Sequence, residues 1–460
     1  MTATTIGSQV QGRTLRASRL AATLLCLAAL LAPALWNGYP LLQYDTGGYL
    51  ARWYEGYLVP SRSTVYGLFL HLGEGVHFWP ELALQAACTV WVIWLSLRVF
   101  GFGASPWLLV AVIAALSVLT ALPALSSMLL TDIFVGLAVL ALYLLVFRGR
   151  ELRRAERFGL FLLVAFAAAT HSATLAVLLA VIGFCGLVLV LSGTRLLRLV
   201  PAVSAIATGA VMLLAANFAF SGQLAWTPGG FGIAFGRMLQ DGIVKRYLDD
   251  HCPDVRLRLC PYRDELPKTA DDFLWNYGVF NELGRFSGLG DEMRFIVLHS
   301  LREYPLQQIE TAFAATAAQL GLVATGNGTH NQIWHTYGIM RQFIPDEVPA
   351  MQKARQQRGE LHFDLINRVH VPIALGSMLL VLALLAKALA HRRFDEPILL
   401  AAIVAVALLA NAFVCGALSG PHDRYGARIA WIATFAVVIA GLQAIKSLAS
   451  ERSTSAASET

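Results

Sequence analysis

Charge is scarce in this chain. Only 14% of its 460 residues are Asp, Glu, Lys or Arg, where a water-soluble domain uses roughly 25% to cover its surface. That shortage excludes an ordinary soluble enzyme. Cysteine is scarce too, with six in the chain. No Cys/His set has zinc-ligand spacing, so no metal site is read. Internal repeats are lacking. The net charge of +6 is explained by its placement along the chain, so no nucleic-acid partner is expected.

What is present is apolar. Hydrophobic residues make up 57% of the chain, in repeated uncharged runs of helix-spanning length, the signature of a multi-pass helical membrane protein. The sequence predicts an all-α polytopic membrane protein of about ten transmembrane helices with a mainly helical outside (periplasmic) domain. Residues 1–19, with Arg13, Arg16 and Arg19, read as a cytoplasmic tail. A seven-helix membrane module covers 20–220, with spans at about 20–36, 79–100, 107–122, 127–147, 199–220 and two more within the uncharged run 158–194. A single helix of that run would overshoot the membrane, so a turn is expected at Thr170-His171-Ser172. The first span could instead be a signal peptide, since Ala32-Pro33-Ala34 loosely matches a cleavage site. The charge bias fits best if the helix stays.

The first outside loop fills 37–78. Within it, residues 63–72 are apolar but too short to cross and are expected at the interface. Outside turns are expected at 123–127 and 419–428. Residues 221–368 form a nearly neutral outside loop domain, in which 306–325 reads as an amphipathic interfacial helix. Three spans close the chain within 369–446, before a Ser-rich cytoplasmic tail at 447–460. In this topology both termini are cytoplasmic. The cytoplasmic segments then hold 16 Lys/Arg against 6 Asp/Glu, and the outside segments 19 against 23. That is the positive-inside bias. Ala/Leu/Arg-rich usage points to a bacterial inner membrane.

Chemistry is sought first in the loop Tyr44-Asp45-Thr46-Gly47-Gly48-Tyr49. A carboxylate on a Gly-permissive turn can serve as general base on a hydroxyl, and tyrosines can stack on a sugar face. The alternative is a helix N-cap, where Asp is favoured. Arg52 and Arg62 nearby shift the balance towards function. Asp132 opens an apolar span, where ionisable groups are rare and usually functional. It could equally satisfy free N–H groups at that helix start. His171 could bind phosphate or shuttle a proton, or act as a neutral hydrogen-bonding residue. His422-Asp423-Arg424-Tyr425, with Arg428 behind, is a compact basic turn. Arginine forks suit phosphate, whereas snorkelling arginines would only anchor helix ends. Asn327-Gly328-Thr329-His330, then Trp334-His335, form a polar patch that could cap the site. Cys252 and Cys260 share a polar loop and are a disulfide candidate if that loop is outside; two free thiols remain the alternative. Cys26, Cys88, Cys185 and Cys415 lie in or beside apolar helices and read as packing residues.

Taken together, Asp45 in the first loop, Thr131-Asp132 opening the fourth span, the hairpin at His171 and the late Arg424-Tyr425 resemble the GT-C glycosyltransferases, such as protein mannosyltransferases and the aminoarabinose transferase of lipid A. The resemblance is one of position and residue type. It covers the first seven spans and, more loosely, the late turn. It implies a polyprenyl-phosphate sugar donor, a lipid, glycan or protein acceptor, Asp45 as the catalytic acid of the first loop, Asp132 as the acid of the second, and Arg424 and Tyr425 near the donor phosphate. Arg52, Arg62 and His171 join the expected substrate-binding set. Many members carry two adjacent acids in the first loop; here Thr46 follows Asp45. A divalent metal therefore stays open without a paired-acid motif behind it, and no cofactor is assigned. Three rival readings differ in what they need. An O-antigen ligase or polymerase-like enzyme needs His330 or His335 rather than Asp45. A lipid or solute transporter needs mid-membrane charges and often inverted repeats, neither of which the sequence shows. A scaffold would tolerate loss of every outer-face acid and arginine.

Overall fold

The computed structural model describes residues 3–58, 60–227 and 229–458. Among them there is no β-strand, only an isolated parallel bridge between Leu41 and Met128. The apolar runs form helices because straight-chain and Ala-rich segments keep every backbone hydrogen bond internal, which lipid demands. Seven helices among the described residues are long and apolar enough to cross a membrane. They are α1 (Ala3–Asn37), α4 (Trp79–Val99), α8 (Ser172–Leu191), α9 (Val200–Ser221), α12 (Phe363–His391), α13 (Glu396–Leu418) and α14 (Asp423–Ser458). The chain is an integral multi-pass membrane protein. Short helices α2 (Tyr44–Leu50) and α3 (Thr64–His71) lie between α1 and α4.

The other three expected spans are shorter helices: α5 (Pro106–Leu119, 14 residues), α6 (Ile133–Phe147, 15 residues) and α7 (Arg154–Thr170, 17 residues). At 1.5 Å per residue these reach roughly 21–26 Å, below the ~30 Å of a hydrocarbon core. For α6 the reason is its position. Every residue from Ile133 to Val146 is buried, because α4, α7, α8, α9, α13 and α14 surround it. A helix ringed by protein need not match the thickness of the lipid. The α7–α8 junction falls at His171, the only residue between the two helices.

Four local expectations change. Within the stretch read as a cytoplasmic tail, α1 already runs from Ala3. The 447–460 tail likewise continues α14 to Ser458. No proline interrupts either stretch, so nothing in them stops a helix. The expected outside turn at 123–127 is buried, as is all of 120–132. The chain there re-enters the protein, and its carbonyls are claimed by the first loop and α4. The Leu41 N–H donates to Ser127 O, and Gln85 Nε2 donates to Ser126 O and Met128 O. Irregular backbone at membrane depth is tolerated where protein satisfies it. Finally, α3, the stretch expected at the interface, packs on other helices. It is tucked into the bundle against α2, α7 and α9, with Val65, Tyr66 and Leu70 buried.

Residues 221–368, expected as one domain, divide into two parts. Residues 235–304 build a separate core around Phe235, Tyr247, Phe273, Phe280 and Met293, with Cys252 and Cys260 joined in a disulfide. By contrast Ile333, Tyr337, Met340 and Met351 belong to the membrane-helix core. Between these parts runs α10 (Pro305–Gly321), the expected interfacial helix. It lies along α13, with Gly416 set close to Ala315 O. Its Leu306, Ile309 and Phe313 face outward. Polar staples then tie 330–356 to the first loop. Gln356 pairs both its amide atoms with the Leu42 backbone, and buried Glu347 accepts from the Tyr39 hydroxyl and the Gly75 N–H. The first loop is thereby clamped from both sides.

Candidate active site

Asp45 sits in the first turn of α2. The helix start is capped without it. Gln43 Oε1 accepts from the Asp45 N–H at 2.7 Å, and Thr46 Oγ1 accepts from the Gln43 N–H at 3.0 Å. Two neighbours thus satisfy the orphan donors of the helix, and the Asp45 carboxylate is left for other partners. Helix α11 (Trp334–Phe343) holds α2 in place. Thr336 Oγ1 accepts from the Gly47 N–H at 3.0 Å and donates to Gln43 O at 2.9 Å. A Cβ on Gly47 would stand 2.6 Å from Thr336 Cα, and one on Gly48 would stand 3.1 Å from Arg62 Cγ. Both glycines are small because a helix and an arginine cross there.

The carboxylate is held by two arginines. Arg62 Nη2 contacts Asp45 Oδ1, and Arg424 Nη1 donates to Asp45 Oδ2 at 2.5 Å. Arg424 also reaches Asp132, with Nε to Oδ2 at 2.6 Å, so one guanidinium bridges two acids almost 90 residues apart in sequence. On the other side Arg428 Nη1 lies 3.8 Å from Asp132 Oδ1 and 3.5 Å from His171 Nδ1. Arg428 is completely buried, and Asn411 Oδ1 accepts from its Nη2 at 2.7 Å. Asp132 precedes α6, yet makes no capping bond with its side chain; the arginines take it instead.

Electrostatics follow from this geometry. Burial alone would raise the Asp45 carboxyl, but Arg62 and then Arg424 outweigh it and hold it well below the usual carboxylate range. Burial, with the Arg428 guanidinium next, pushes the His171 imidazole far below its ordinary value, so it is neutral at pH 7. Three guanidiniums therefore face two carboxylates, which leaves one positive charge in the cluster.

Asp45, Arg62, Asp132, His171 and Arg424 are thus brought together. Tyr425 edges the cluster, with its ring 5.8 Å from both Arg424 and Arg428 and its hydroxyl 3.4 Å from Ser419 Oγ. Arg52 is not brought to it. Its guanidinium turns to Gly48 O, Tyr57 O and Glu55, where Nη2 donates to Glu55 Oε2 at 2.6 Å. The one-turn helix Ala51–Trp53 points it at residues 55–57, and Glu55 neutralises it. His330 stacks edge-on to Tyr44 at 5.1 Å. His335 lies exposed on α11. Asn411 has a role that the sequence reading does not assign. A lone Asn inside the apolar 398–418 run is itself a signal, since polar residues in spans hydrogen-bond across helices.

Among the described residues no group of three His, Cys, Asp or Glu could hold a metal ion. Comparison with protein-family models, with curated proteins and with solved structures returns no match.

Proposed function

We propose that the protein is a membrane glycosyltransferase that moves a sugar from a polyprenyl-phosphate donor to a lipid, glycan or protein acceptor at the outer face of a bacterial inner membrane. The observation that carries this reading is the surplus positive charge. Asp45, Asp132, Arg62, Arg424 and Arg428 make a cluster one negative charge short of neutrality, with Asp132, Arg424 and Arg428 buried and Asp45 and Arg62 partly buried at its edge. A phosphodiester, which a prenyl-phosphate sugar is, carries a single negative charge. Isolated buried charge is costly, so an anionic ligand has a ready partner here.

The step runs as a direct displacement. The acceptor hydroxyl oxygen attacks the anomeric carbon and forms the new glycosidic bond. The bond from that carbon to the phosphate oxygen breaks, and the phosphate leaves with the electron pair. The hydroxyl proton passes to Asp45 as general base. Arg62 and Arg424 stabilise the charge that grows on the leaving phosphate. One attack from the face opposite the leaving group inverts the anomeric centre. About ten crossings and a periplasmic location for 221–368 belong to the same proposal.

An Asp45→Asn variant tests it. The expected outcome is transfer slowed by about 10²–10⁴-fold in a variant that still folds, as judged by a cooperative thermal unfolding transition in detergent, at a midpoint lowered by the lost ion pairs. Full transfer by a folded variant overturns the reading.

A further inference from the structure

Asp45 as found is a poor base. A general base works best with a pKa near the operating pH, and two guanidiniums hold this carboxylate far below that range. Something must loosen the clamp before a proton can move. The two arginines differ in how firmly they are committed. Arg424 is shared with Asp132 and lies deeper, with its side chain 9% exposed. Among the described residues Arg62 has Asp45 as its one acidic partner, and its Nη1 donates to its own neighbour's carbonyl, Ser61 O, at 3.1 Å. Ser61 adopts a left-handed backbone at φ 61°, a conformation that L side chains other than Gly, Asn and Asp rarely hold.

On its other flank Arg62 lines a small cavity with Ser63, Thr170, His171, Ser172 and Thr227. The Ser63 and Thr170 hydroxyls already donate to Ala169 O and Ala167 O, which leaves the Ser172 side, the neutral His171 imidazole and the Arg62 guanidinium as the part of the lining suited to phosphate oxygens. The cavity now measures about 10 Å³, room for roughly one water. A phosphodiester fits only if the lining moves, and Arg62 is the lining residue that also holds Asp45.

We propose that Arg62 is a positioning residue that changes partners: in the empty site it holds Asp45, and a phosphodiester entering the cavity beside it takes it over, freeing Asp45 to accept the proton. This rests on the donor reading above. Its consequence is order. The base is armed only once the donor phosphate is in place, so an acceptor hydroxyl meets an inert carboxylate in the empty enzyme. The groups facing Asp45 from the surrounding elements are Arg62, Arg424 and Arg428, Asp132, His171, Tyr49, Tyr425 and His335. Of these only Arg62 both touches the carboxylate and lines the cavity.

Calorimetry of the full chain in nanodiscs tests this. Binding of two phosphodiesters, a prenyl methyl phosphate and dimethyl phosphate, is measured at pH about 4 in buffers of different ionisation enthalpy. Both probes keep one charge at this pH, so protons taken up belong to the protein. Release of Arg62 moves Asp45 up towards the ordinary carboxylate value of about 3.9 while Arg424 stays paired to it, which predicts a fractional uptake of at most about half a proton in the wild type. That uptake should vanish in Asp45→Asn and shrink in Arg62→Gln, where the clamp is already open. His171 can also take up a proton beside an anion, and the Asp45→Asn arm separates that contribution. Binding with equal uptake in wild type and Asp45→Asn overturns the exchange and leaves the donor reading standing. No binding of either diester overturns both. Tighter binding of the prenyl diester supports a lipid source, and equal binding of dimethyl phosphate overturns that source.

Discussion

At the scale of single residues, the site is a contest over two carboxylates. Asp45 and Asp132 sit at helix starts, where capping is the ordinary use of Asp. Neither caps. Gln43 and Thr46 relieve Asp45 of that duty, and the arginines of α14 claim Asp132. The ion pairs of Asp45 carry a pH signature. Its folded pKa lies below its unfolded value of about 3.9, so its pairing stabilises the fold fully above that value. The contribution is lost as pH falls through the folded pKa. The gap in thermal unfolding midpoint between wild type and Asp45→Asn should therefore stay constant from pH 7 to about pH 4 and narrow below it. A gap that shrinks between pH 7 and 5 contradicts the assigned pairing.

At the scale of elements, the decisive contact is α11 crossing α2. Thr336 and Gly47 meet at backbone distance, and that contact aims Asp45. Gly47→Val should cost about 1–3 kcal/mol through overpacking, read as a lowered unfolding midpoint. Gly338 lies in α11 itself, and a Cβ there meets nothing within 4 Å. Gly338→Ala should be neutral or stabilise by about 0.5–1 kcal/mol, since it removes a helix-interior glycine. Equal effects from the two variants contradict the crossing. The Tyr/Gly-rich first loop stands out in the sequence, but its clamps do not. Glu347 and Gln356 are about 300 residues away, in a stretch whose composition says only that it is polar.

At the scale of the whole molecule, topology decides which side the cluster faces. In the orientation proposed from the charge bias, the α9 end at residue 223 lies on the outer side and the α8 end at residue 192 on the inner side. Both Gln223 and Ser192 are exposed. In intact cells a membrane-impermeant maleimide should label Gln223→Cys, whereas Ser192→Cys should react only after permeabilisation. Labelling of both from the same side overturns the orientation, and with it an outward-facing site.

The sequence by itself determined what local physics controls. Scarce charge and long apolar runs demand membrane helices, because lipid leaves no other way to satisfy the backbone. The break at His171 follows from the length of a 37-residue uncharged run set against the membrane thickness. Asp45, Asp132 and Arg424 drew notice because charge is expensive in apolar surroundings. Only the tertiary structure decided which charges meet. Arg424 joins Asp45 to Asp132 across 379 and 292 residues, while Arg52, seven residues from Asp45, pairs with Glu55 instead. The structure also buried the 120–132 link and split 221–368 between two cores. Contacts of that range depend on how helices cross, and a charged side chain about two turns away in sequence need be no closer in space than one on a different helix.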